Sequence, residues 1–127
     1  MARILILDDN IYFARLIASQ LTRLGYAVRV MEAGEELLDL LRAERYDLLI
    51  MELLLQGQDG LTLLQTLSCS PFSYLRVLIV SHRTSYVDQQ RVAEYDADFL
   101  SKPVDLYELL EKVPMFLKRK SWEGRSL

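Results

Sequence analysis

Short apolar runs alternate along the chain with longer stretches in which apolar residues recur at helical spacing. The first run, Arg3 to Leu7, stops abruptly at Asp8-Asp9-Asn10. A brief apolar run bounded by polar residues suits a strand buried on both faces. Phe13, Leu16, Ile17, Leu21 and Leu24 then follow a helical period, which Asp9 or Asn10 can cap and Gly25 ends. Ala27 to Met31 alternates like a half-buried strand, and Glu35 to Arg42 is amphipathic, with Leu37, Leu38 and Leu41 on one side. Tyr46 to Met51 predicts a third strand. It runs into an acid, Glu52, then Leu53 to Leu55, then Gln56-Gly57-Gln58-Asp59-Gly60, which reads as a loop. Leu61 to Leu67 is a short helix closed by Ser68, Ser70 and Pro71. Leu75 to Val80 is a fourth strand ending on Ser81, and Ser85 to Glu94 is a polar, weakly periodic helix. Asp98 to Leu100 is a brief fifth strand before Ser101-Lys102-Pro103. Leu106, Leu109, Leu110, Val113 and Leu117 outline a last helix. Pro114 falls inside it, removes a hydrogen bond to Leu110, and should kink or end the helix near Val113.

A strand-helix unit repeated about five times implies parallel strands with helices on both faces and right-handed crossovers. The expected architecture is α/β, a doubly wound three-layer sandwich of flavodoxin-like type with strand order 2-1-3-4-5. The 127 residues suit one domain, taken as 1–120, with 121–127 as a fraying polar tail. At 51% hydrophobic and 26% charged residues, the composition is that of a globular chain, not a disordered one. A net charge of -3 gives no general case for nucleic-acid binding. No apolar run approaches a membrane span. The one cysteine, Cys69, rules out an internal disulfide. The expected setting is cytoplasmic.

In that strand order the ends of strands 1, 3, 4 and 5 lie side by side, where α/β sheets gather their chemistry. They contribute Asp8 and Asp9, Glu52, Ser81 and Lys102. Carboxylates suit a hard cation such as Mg²⁺. An ammonium and a hydroxyl beside a metal are what a phosphoryl group needs. Each residue also has a plainer reading. An Asp-Asp pair after a strand is usually a turn with a helix cap. Glu52 and Lys102 can form a purely structural ion pair, and Ser81 can be a simple strand-end hydroxyl.

Taken together, the motifs resemble the receiver domains of two-component response regulators, over about Arg3 to Leu117. The matches are Asp8-Asp9 after the first strand, Tyr46 to Glu52, Asp59-Gly60 opening the third helix, Ser81 closing the fourth strand, and Asp98 to Pro103. The resemblance implies that Asp8 and Asp9, with Glu52, bind Mg²⁺. It implies that Ser81 and Lys102 contact a phosphoryl group, that Phe99 holds an aromatic switch position, and that Lys102-Pro103 is a cis peptide. Phe99 also reads as plain core. The implied partners are a histidine kinase, a phosphotransfer protein or an output domain, met through the face of helix 4, strand 5 and helix 5. Pro114 puts a standard dimer on that face in doubt.

The departure from the family is at the centre, where its phosphoacceptor aspartate is replaced by Glu52. One more methylene moves the carboxylate by ~1.5 Å, and ~1 Å of misplacement can cost ~100-fold in a positioned reaction. Gln56 replaces the usual loop proline, His82 stands where small residues are common, and Asp96 stands where glycine is frequent. These features favour a pseudo-receiver acting through protein-protein contact. The alternative is a phosphorelay receiver that still accepts phosphate on Glu52, Asp9 or Asp59. A third class, a Mg²⁺-dependent phosphatase, lacks support: no Asp-x-Asp nucleophile follows a strand (Asp96-Ala97-Asp98 leads into the fifth one), and there is no P-loop or Gly-x-Ser-x-Gly elbow.

Overall fold

A computed structural model describes residues 1–118. The expected tail at 121–127, and the domain boundary before it, lie outside the described residues. Five parallel strands form one sheet: β1 (Arg3–Leu7), β2 (Ala27–Met31), β3 (Leu48–Met51), β6 (Arg76–Ser81) and β7 (Asp98–Ser101), in the order β2-β1-β3-β6-β7. This is the expected doubly wound order. Helices α1 (Ile11–Arg23) and α5 (Leu106–Lys118) cover one face. The other carries α2 (Leu37–Ala43), α3 (Gly60–Ser68) and α4 (Tyr86–Glu94).

The central strands are apolar between their ends because both their faces are covered. Leu5, Leu7, Leu49, Met51 and Ile79 join the core beneath α2, α3 and α4. Ile4, Ile6, Leu48, Ile50, Leu78 and Val80 join the core beneath α1 and α5. Alternate side chains of one strand thus serve opposite cores. With no polar residue inside them, these strands leave their chemistry to the ends.

Three details differ from the sequence reading. Leu54–Leu55 (β4) and Gln58–Asp59 (β5) pair antiparallel as a small hairpin where a loop was expected. Its turn is Gln56-Gly57, and Gly57 has φ 75°, a conformation glycine adopts without strain. On α1, Ala14, Ile17 and Leu21 are buried, while Leu16 and Leu24 face outward. The helix α5 does not end near Val113: it runs through Pro114 to Lys118. Leu109 and Val113 are fully buried, and Phe116 and Leu117, past the proline, pack on the same core. That packing carries the helix across the missing bond. No helix among the described residues is long and apolar enough to cross a membrane.

Candidate functional site

Asn10 caps α1, its Oδ1 accepting the Phe13 N–H at 3.2 Å. This turns the chain just after β1 and leaves Asp8 over the sheet end. Asp8 is buried, and its Oδ1 accepts the Asn10 N–H at 2.9 Å. Glu52 follows β3 directly, with its main-chain N–H bonded to the Leu7 carbonyl at 3.0 Å. Its side chain, 5% exposed, bends back on its own loop. There Oε2 accepts the N–H groups of Leu53 at 2.6 Å and Leu54 at 3.0 Å. The Lys102 N–H is fixed to the Ser81 carbonyl at 2.9 Å, and the Lys102-Pro103 bond is cis, as the resemblance implied.

Lys102 holds the centre. Its Nζ donates to Asp8 Oδ2 and to Glu52 Oε1, both at 2.9 Å, and the side chain is 8% exposed. The Phe13 ring covers the ammonium, 4.4 Å from Nζ to the ring centroid. The Ser81 hydroxyl is fully buried, stands near enough to Glu52 to favour its charged form, and accepts the Arg83 N–H at 3.0 Å. A cavity of about 480 Å³ opens above, bordered by Asp9, His82, Leu54 and Val104 among others.

Burial alone would raise the Glu52 carboxyl pKa. The Ser81 hydroxyl, the Leu54 N–H and the Lys102 ammonium outweigh it, so the group titrates below its ordinary value. Burial alone would likewise lower Lys102, but hydrogen bonds and charge attraction from Glu52 and Asp8 hold it above its ordinary value. Glu52 and Lys102 are therefore both charged at neutral pH.

Asp8, Glu52, Ser81 and Lys102 come together as the sequence implied, while Asp9 stands at the edge. Asp9 Oδ2 accepts the Gln56 N–H at 2.8 Å, a bond the proline usual in that loop could not donate. Among the described residues, no group of three or more histidine, cysteine or acidic side chains is placed to hold a metal ion. The donor chemistry suits a hard cation, but the arrangement does not fit one, because an ammonium already sits between two of the three carboxylates. Phe99 is half-buried against the core beneath α2, α3 and α4. His82 is exposed at the mouth. Asp96 takes φ 61°, a left-handed turn that Asp tolerates better than most residues.

Residues 4–114 match the family model of the response regulator receiver domain. This chain belongs to that family. Response regulator MprA of Mycolicibacterium vanbaalenii is 33% identical over 120 residues, covering 92% of this chain and 51% of that relative. The chain thus spans about half the length of the curated relatives it matches. The Francisella response regulator 1452 receiver domain has a TM-score of 0.85 at 26% identity, covering 94% of this chain and 98% of that one. A Burkholderia pseudomallei response regulator, solved with a phosphorylated aspartic acid, calcium ion and citrate, has a TM-score of 0.76 at 30% identity. That match covers 87% of this chain and 65% of the other.

Two residues of this receiver's site were not singled out from sequence. Phe13 was read only as part of a helix face, yet its ring covers the ammonium. Arg83 lies in the connection after the fourth strand, and its N–H holds Ser81. A register count from the Asn10 cap would have aimed Phe13 at the strand ends; nothing local marks Arg83.

Proposed function

We propose that this receiver is a pseudo-receiver: a two-component signalling module that acts through protein-protein contact and does not take phosphate in the usual way. One observation carries the reading. The Glu52 carboxylate already collects the Lys102 ammonium, the Ser81 hydroxyl and the N–H groups of Leu53 and Leu54. These are the donors that a phosphoryl group on a shorter acid would engage. The Burkholderia relative carries its phosphoryl group on an aspartic acid. Here the longer acid supplies the anion itself, and the receiver is held in an active-like arrangement. The partner is a histidine kinase, a phosphotransfer protein or an output domain. It meets the face of α4, β7 and α5, whose helices expose Tyr86, Val87, Tyr107 and Met115. Mg²⁺ at Asp8, Asp9 and Glu52 would have to displace Lys102 and turn Asp9 from Gln56, so its binding is weak.

Intact-mass measurement after treatment with acetyl phosphate and Mg²⁺ tests this. The wild type should gain no phosphoryl mass, and Glu52→Asp should gain one. A phosphoryl mass on the wild type would instead establish the phosphorelay reading, with Glu52, Asp9 or Asp59 as acceptor. If neither protein is labelled, the remaining site is not that of a competent receiver.

A further inference from the structure

The two loops that flank the site, β4-β5 before α3 and the β6-α4 connection, are joined by one side chain. Arg83 lies two residues past Ser81. Its guanidinium donates from Nε to Asp88 Oδ2 at 3.0 Å and from one terminal nitrogen to Asp59 Oδ1 at 2.9 Å. Asp59 is the N-cap of α3 and also accepts from the Leu61 N–H and the Thr62 hydroxyl. Asp88 stands in the first turn of α4, whose N-cap Ser85 accepts the Asp88 N–H. Both carboxylates thus belong to helix N-termini, where negative charge is favoured. A planar guanidinium can bridge two carboxylates that would otherwise repel, which a single ammonium does less well. The main-chain N–H of the same residue holds the Ser81 hydroxyl.

We propose that Arg83 is a strap: it ties the N-terminus of α4 to that of α3 and so fixes the β6-α4 loop with Ser81 turned onto Glu52. Arg83 is a positioning residue, acting on Glu52 only through Ser81. An isolated pair at these exposures, 31% for Arg83, 48% for Asp59 and 15% for Asp88, contributes little. Here one cation closes a ring through two helix ends and its own backbone, so its effect is local order more than overall stability. The strap deepens the pseudo-receiver reading, because it holds α4, one edge of the partner face, in place with no phosphoryl group to hold it.

Hydrogen-deuterium exchange resolved to single amides tests the strap. In Arg83→Gln the amides of Leu61, Arg83, Asp88 and Gln89 should exchange at least about tenfold faster, with β1 and β3 unchanged. Arg83→Lys should recover only part of the protection. A second measurement needs no variant. Raising salt from about 0.05 M to about 1 M screens charges that are partly exposed, so it should speed the same amides in the wild type and not in Arg83→Gln. Unchanged exchange at these amides in Arg83→Gln overturns the strap. So does a rise spread evenly over β1 and β3, or an equal salt response in both proteins. Phosphorylation of the wild type would remove the pseudo-receiver reading but leave this exchange pattern as stated, so the two failures are distinguishable.

Discussion

At the scale of single residues, the site is an unequal charge balance held out of water. Asp8 and Glu52 face one ammonium, and all three side chains are less than a tenth exposed. Removing a charge therefore has opposite consequences depending on its sign. Lys102→Met leaves two buried carboxylates against each other, and breaking a buried pair in this way typically costs about 3–5 kcal/mol. Glu52 then loses the ammonium that lowers it and holds its proton more tightly. Glu52→Gln leaves a matched Asp8-Lys102 pair and an amide that can still accept from the Leu53 and Leu54 N–H groups. Its cost should stay below about 1.5 kcal/mol, the worth of an ordinary hydrogen bond. Urea midpoints of the two variants at pH 7 check the contrast. Similar losses in both would mean that Lys102 is not the group neutralising the site.

At the scale of elements, the loop after β3 is shaped by a glycine. Gly60 opens α3, and its N–H bonds the Leu53 carbonyl at 2.9 Å. A Cβ there would stand 2.5 Å from the Leu53 Cα and 2.9 Å from the Glu52 carbonyl oxygen, both backbone atoms that cannot step aside. Gly60→Ala should destabilise the protein by about 1–3 kcal/mol, as overpacking does. It should also displace the Leu53 and Leu54 amide resonances, since those N–H groups hold the Glu52 carboxylate. Unmoved resonances would show that the contact is not tight.

The same loop shows where legibility ended. The five strands of the main sheet could be read because they are apolar runs stopped by polar residues or, at Ala27–Met31, an apolar-polar alternation, and the site residues could be placed because they sit on those stops. The hairpin of Leu54–Leu55 and Gln58–Asp59 could not, since two residues per strand carry no period. Leu16 and Leu24 share the helical period yet face outward, because apolar spacing alone does not say which side of a helix the sheet will cover. Pro114 obeys its local rule at the backbone, but the burial of Val113 and the packing of Phe116 and Leu117 override it. Local pattern fixes where elements lie; long-range contact decides which exceptions survive.

At the scale of the whole molecule, folding stability is coupled to pH through the site. The Glu52 carboxyl has a folded pKa below its ordinary 4.5. Its contribution is therefore complete above that value and is lost as pH falls through the lower folded one. Lys102 has a folded pKa above its ordinary 10.5, so its contribution is complete below that value and is lost as pH rises through the higher folded one. Asp59 adds to the acid side. Burial would raise it, but its bonds with Arg83 and the Leu61 N–H hold it low. Stability should thus be level across the middle of the pH range and fall at both ends. In Glu52→Gln the acid fall should shrink without vanishing, because Asp59 remains. The alkaline fall should shrink as well, because Lys102 keeps only Asp8. Urea midpoints from pH 3 to 11 compare the two proteins directly. An acid limb as steep in Glu52→Gln as in the wild type would mean that Glu52 is not held ionised by its neighbours. The carboxylate would then not be engaging the donors that a phosphoryl group needs.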